Sequence, residues 1–411
     1  MTALALALAG ALVAIELVDA AAALLNLRSI RQPPPPGFEG LFTPAKYARM
    51  QEYSAECSRF GLAESAAHLA VILGFWFTGG YGLLDAWIRS LGWPLLPTGL
   101  LFMSALFLGQ SILFLPFQLY STFVIEERFD FNRTTPRTFF LDLAKGLALA
   151  AAIGWPVLAG LLFLLDRLGP YAWPACWAAA CLFGLFMQYI HPTWIMPLFN
   201  RLTPLEDGEL RRAVFDYAGS VDFPLANILV MDGSRRSAKT NAFFTGFGKN
   251  KRIALFDTLI RQHTVPELVA VLAHEIGHYK KRHILQGLLL SWAENGVMFF
   301  LLGQILVRPF FFEAFYLGPS VYGGLVIFGI LVAPLSFVLS LGLAALSRRH
   351  ELEADRFCAR TLKDPAPLIR ALKTLTVSNL SPLTPHPFFV RLHCSHPPIV
   401  ERVTALEAWR S

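Results

Sequence analysis

The 411-residue sequence predicts an α-helical polytopic membrane protein of seven transmembrane helices, with a small α+β element between the fifth and the sixth. Three observations carry this expectation. Hydrophobic residues make up 55% of the chain and charged residues only 16%, where a soluble domain sits nearer about 25% charged. Seven apolar stretches are long enough to cross a hydrocarbon core of roughly 30 Å, which takes about 20 helical residues. Between the fifth and sixth of them, residues 198–283 turn polar. The chain thus divides into 1–197 (five spans with their loops), 198–283 (the insertion), 284–347 (two spans) and 348–411 (a polar C-terminal segment).

Residues 3–26 are rich in Ala and Leu, but Glu16 and Asp19 interrupt them. A signal peptide has a basic start and an unbroken apolar core, so this stretch reads as the first span. Two acids inside a span face a polar interior rather than lipid. The Pro33–Pro36 run that follows reads as a stiff extended spacer. The further spans are expected near 66–88, 99–124, 146–165, 171–196, 284–307 and 319–347, with Pro116, Pro156 and Pro334 inside them, as is common within membranes.

Basic residues cluster in alternate connections: Arg28, Arg31, Lys46 and Arg49; Arg128, Arg133 and Arg137; Lys249, Lys251, Lys280 and Lys281; Arg348 and Arg349. The other connections hold little beyond Arg89, Arg167 and Arg308. The positive-inside rule then expects the odd-numbered connections and the C-terminus in the cytoplasm. The net charge of +6 is used up by these loops, and no basic run interleaved with aromatics points to nucleic acid. The five cysteines form no C-x-x-C pair, which favours packing or reduced thiols over a disulfide framework or a thiolate metal site.

Within the insertion, a helix is expected at 208–219 and a strand at Ile228–Met231. Ala242–Phe247 and Arg252–Phe256 are two apolar runs about a turn at 248–251. They form a small sheet whose edge either holds an extended peptide by strand addition or merely braces the next helix. That helix is announced by Thr264 and Glu267 at capping-box spacing with Pro266 in the first turn. It carries His274-Glu275-Ile276-Gly277-His278, an H-E-x-x-H motif. Residues i and i+4 share one helix face, so both imidazoles reach one metal ion, and Glu275 is left to act on a water beside it. Two imidazoles and a carboxylate suit a single Zn2+ with one open position.

The carboxylate comes from His350-Glu351-Leu352-Glu353-Ala354-Asp355, directly after the last span. On a continuing helix Glu351 and Asp355 share a face, which gives Asp355 the task of accepting a ring N–H from a ligating histidine. The residues alone leave Glu351 and Glu353 nearly even as third ligand. His283 and His350 sit at expected membrane boundaries and need no special role; nor do His68, His191, His263, His386 and His393.

HEIGH, HELEAD, NAFFTGFGKNKRIALFDTLI, PLFNRLTPLEDGEL at 197–210 and SHPPIVER at 395–402 together resemble the integral-membrane zinc endopeptidases of the type I CAAX prenyl protease family. The resemblance covers most of the chain. It implies Glu351 as third ligand, Asp355 beside it, and a role near the scissile bond for His396 and Arg402. It also implies that Asn241 and Ala242 lie along a substrate-binding strand, and that seven helices enclose a water-filled chamber with zinc near its cytoplasmic end. The expected fold is then a seven-helix membrane chamber with a cytoplasmic α+β zinc-metalloprotease domain, a monomer in the lipid bilayer. The expected substrate is a peptide or protein, such as a prenylated CAAX C-terminus losing its last three residues. Two alternatives stand beside this: a general membrane-protein quality-control protease with no prenyl requirement, and a non-enzymatic channel or zinc carrier. Compact loops and the lack of an evident retention signal favour a bacterial inner membrane.

Overall fold

The computed structural model describes residues 2–245 and 251–409. Six helices are by themselves long and apolar enough to span a membrane: Ala3–Ser29, Pro44–Phe77, Leu95–Glu126, Pro136–Leu168, Trp173–Phe199 and His283–Leu306. The seventh span is a pair, Val321–Leu331 and Ala333–Leu362, bent by 50°. Pro334 lies in the first turn of the second member, where its missing N–H removes one rung of what would otherwise be a continuous ladder.

The first span starts at Thr2, whose Oγ1 accepts from the Ala5 N–H. The second differs from the expected 66–88. Thr43 caps it and Pro44 opens it, and it runs 34 residues to Phe77. There Gly79, at φ 76°, turns the chain into a separate short helix, Gly80–Arg89. Lys46 and Arg49 therefore belong to this helix and not to a connection. Expanded turns interrupt the fourth and fifth spans at Ala150–Gly154, just before Pro156, and at His191–Ile195, which contains Pro192. A proline cannot donate to the turn behind it, and a widened turn absorbs the missing bond.

The insertion forms a four-stranded sheet of β1 (Leu202–Pro204), β2 (Leu225–Met231), β3 (Ala242–Thr245) and β4 (Lys251–Phe256), in the order β1-β2-β4-β3. β2 and β4 are parallel, and the outer pairs are antiparallel, with Ala242 opposite Leu255. β3 is thus an edge strand. The helix expected at 208–219 is Glu209–Ser220. Most of the turn expected at 248–251 lies outside the described residues.

Under the sheet runs the motif helix, Val265–Lys280, almost wholly buried along its middle. The Thr264 N–H donates to Glu267 Oε2 at 3.1 Å, the back half of the expected capping box. Ile228, Ile253, Leu255, Leu268 and Leu272 pack the helix against the sheet. Ala270, Ala273 and Ile276 pack its opposite side against Cys358, Ala359, Leu368 and Val403 from the C-terminal segment. The five cysteines are free thiols, and the Cys358 thiol donates to the Ala270 carbonyl across this contact.

Candidate active site

Two helices build the site. The motif helix crosses the second half of the seventh span, which continues past the membrane to Leu362 and is called here the ligand helix. They touch where Gly277 meets Ala354: a Cβ at Gly277 would lie 3.1 Å from the Ala354 Cα and 3.1 Å from its carbonyl oxygen. Glycine lets the two backbones approach this closely. One turn before Ala354, Glu351 then faces the histidines.

His274 Nε2 and His278 Nε2 lie 3.3 Å apart. Glu351 Oε2 is 3.3 Å from the first and Oε1 is 3.3 Å from the second. Ligand atoms of the three residues fall within 4.8 Å of one another. Glu353 points elsewhere, its Oε2 3.2 Å from His283 Nε2. The donor set fits a divalent metal. Two ring nitrogens and a carboxylate converge on one point, and the buried Glu351 Oε2 has no well-directed hydrogen bond from any described residue. Burial opposes a charge on His274, but the Asp355 and Glu351 carboxylates outweigh it and push its pKa up to about 9. Cationic character is wanted at this point.

Behind the histidines a second set of groups holds them. His274 Nδ1 lies 2.8 Å from Asp355 Oδ1. Arg402 clamps Asp355 in a bidentate pair, Nε to Oδ2 at 2.8 Å and Nη2 to Oδ1 at 2.6 Å, and its Nη1 sits 3.3 Å from Glu351 Oε2. Both members are buried, so the guanidinium is committed to these carboxylates. His396 differs. Its side chain is 63% exposed, with Nε2 3.3 Å from Glu351 Oε1, leaving it open to anything that enters.

His274, Glu275, Glu351, His396 and Arg402 line a cleft of about 420 Å³, together with Thr240, Asn241 and Ala242. Burial raises the pKa of Glu275 and the two histidines draw it back. The Ala242 N–H turns back onto Asn241 Oδ1 at 2.8 Å, and the Asn241 carbonyl accepts from the Phe256 N–H. The mouth of the cleft is therefore the start of the edge strand β3. Sequence reasoning missed His283. It was read as a membrane-boundary residue, yet it is buried with Nδ1 3.1 Å from His278 Nδ1.

Residues 23–201 match the family described as "CAAX prenyl protease N-terminal, five membrane helices", and residues 204–410 match peptidase family M48. The chain belongs to the CAAX prenyl protease family of M48 membrane peptidases. It is 36% identical over 406 residues to a CAAX prenyl protease 1 homolog of Arabidopsis thaliana, covering 93% of each chain. It is 37% identical over 318 residues to CAAX prenyl protease 1 of Saccharomyces cerevisiae, covering 72% of this chain and 69% of that one. The crystal structure of S. mikatae Ste24p superposes with a TM-score of 0.93 at 31% identity, covering 99% of both chains. The family is one of membrane metalloendopeptidases, and this chain is an integral-membrane enzyme of that kind. These relatives come from a plant and from yeasts; the bacterial inner-membrane placement and the quality-control alternative find no support in them.

Proposed function

We propose that the chain is a zinc endopeptidase that releases the C-terminal tripeptide from prenylated CAAX proteins. The observation that carries this is the convergence of His274, His278 and Glu351 beside Glu275, in a cleft that opens on a sheet edge. His274, His278 and Glu351 hold the ion. Zinc supplies Lewis acidity there, making water a competent nucleophile near neutral pH and drawing charge off the scissile carbonyl.

The protein's own groups do the rest. Glu275 accepts a proton from the attacking water and delivers it to the leaving amine, work worth about 10²–10⁴-fold in general acid–base catalysis. His396, exposed on the cleft wall, donates to the developing oxyanion. Arg402 acts through Asp355, which fixes the tautomer and the tilt of His274. An extended substrate pairs with β3, where Asn241 and Ala242 meet its backbone. Lys280, Lys281, Arg348 and Arg349 flank the spans at the end that bears the site, which puts the cleft in the cytoplasm by the positive-inside rule.

The test is a cleavage assay on one CAAX peptide in farnesylated and unmodified forms, with wild type and Glu275→Gln protein. Wild type should release the tripeptide from the lipidated form, and Glu275→Gln should keep zinc but lose nearly all turnover. Equal cleavage of both peptides refutes the substrate assignment. Wild-type turnover by Glu275→Gln refutes the general-base assignment.

A further inference from the structure

We propose that His283 and Glu353 are positioning residues for His278, forming a two-step relay that locks this ligand's ring and tautomer. The proposal rests on the zinc reading above. It begins with a proton count. His278 Nε2 faces His274 Nε2 and Glu351 Oε1, so a ligating His278 keeps its lone pair there and carries its proton on Nδ1. That proton points at His283 Nδ1, 3.1 Å away. His283 Nδ1 must then be the acceptor, which moves the His283 proton to Nε2, and Nε2 lies 3.2 Å from Glu353 Oε2. The second Glu353 oxygen accepts from Arg349 Nε at 2.9 Å. Every donor in the chain meets one acceptor, and no group is left over.

The arrangement parallels the other ligand. His274 ends on Asp355, clamped by Arg402; His278 ends, through His283, on Glu353, held by Arg349. The ligand helix thus contributes three acids, Glu351 forward and Glu353 and Asp355 behind. Local backbone serves the same end. In an unbroken helix, residues five apart lie about 140° from one another around the axis and cannot meet. Arg282 breaks the helix in the left-handed region, at φ 60° and ψ 27°, and this turn folds His283 back onto His278. The His283 side chain is only 4% exposed. His350 stacks on its ring at 3.9 Å and 7°, and His350 is itself held by Gln286 Oε1 at 2.9 Å. A membrane-boundary histidine has no need of such a mount.

Asparagine and glutamine separate the two halves of the relay. An Asn amide oxygen stands near the ring Nδ1 position, so His283→Asn keeps the acceptor for His278. A Gln amide stands near Nε2, so His283→Gln keeps only the link to Glu353. Full-length protein in detergent is loaded with zinc, and metal loss to excess EDTA is followed over time, with KM and kcat measured alongside. His283→Ala and His283→Gln should release zinc about 10–100-fold faster than wild type with KM unchanged, and His283→Asn should stay within about threefold of wild type. Glu353→Ala should bind one zinc and release it faster. Equal retention by the Asn and Gln variants, or wild-type retention by His283→Ala, overturns the relay and leaves the zinc reading standing. Wild-type protein that binds no zinc overturns both. If His283→Ala fails to fold, the Asn and Gln pair still decides the matter.

Discussion

Gly277→Ala is the sharpest test of how the site is assembled. The new methyl carbon would stand 3.1 Å from two backbone atoms of Ala354 and 3.2 Å from the Phe357 ring. Favourable carbon contacts lie near 3.5–4.0 Å, so the motif and ligand helices must part by about half an ångström. Overpacking of this kind costs about 1–3 kcal/mol, while replacing glycine inside a helix returns up to about 1 kcal/mol. Net destabilisation is then about 0–2 kcal/mol, a modest change in melting temperature. Function should suffer more. A catalytic constellation tolerates about 0.5 Å of misplacement, and 1 Å can cost roughly 10²-fold in rate. We expect a loss of about tenfold in kcat/KM together with weaker zinc retention. Gly287→Ala is the control, because a Cβ there meets nothing within 4 Å. Metal analysis, thermal melting and peptide kinetics on both variants settle it. If Gly277→Ala behaves like Gly287→Ala in all three, the close crossing is not what sets the site.

Three further outcomes follow from the geometry. His396→Ala, at an exposed position, should change stability by no more than about 0.5 kcal/mol, keep zinc, and lower kcat by about 10²–10³-fold; steady-state kinetics showing an unchanged kcat would remove His396 from the chemistry. Arg402→Ala strips the partner from two buried carboxylates and should cost about 3–5 kcal/mol, with Arg402→Lys recovering only part because lysine cannot pair bidentately; thermal melts in detergent check the order wild type, Lys, Ala. With a pKa of about 9, His274 is protonated at pH 7.5 in the metal-free protein and must lose that proton to ligate, so zinc binding should expel about one proton and weaken as pH falls. Calorimetry in two buffers of different ionisation enthalpy measures this, and a buffer-independent heat would contradict it.

The motif helix was readable because its signals are local: a cap, a first-turn proline, and two histidines one turn apart. Glu351 over Glu353 was not readable from residues alone, since that choice depends on how two helices cross at Gly277 and Ala354, residues 77 positions apart in the chain. The second span was misplaced because Lys46, Arg49, Glu52, Glu56, Arg59 and Glu64 charge its first half, and an apolar window sees only the second. The Thr78-Gly79-Gly80 break, which a turn rule does notice, was overridden by the apolar residues beyond it. His283 escaped because it meets His278 across a left-handed residue, and no helical periodicity predicts that contact. Arg402 was reached through family resemblance only; a lone arginine far from the motif carries no signal of the acids it will clamp.

The ligand helix is the emergent end of the seventh span, and two membrane crossings separate it from the motif helix. During biosynthesis, the ribosome delivers both histidines well before Glu351, and the last hairpin must enter the bilayer before the acid can return to them. A nascent chain halted before Ala333 would own the H-E-x-x-H signature yet have no cage for an ion. The protease is therefore silent until its own insertion is complete, a safeguard for a hydrolase made beside other unfinished proteins.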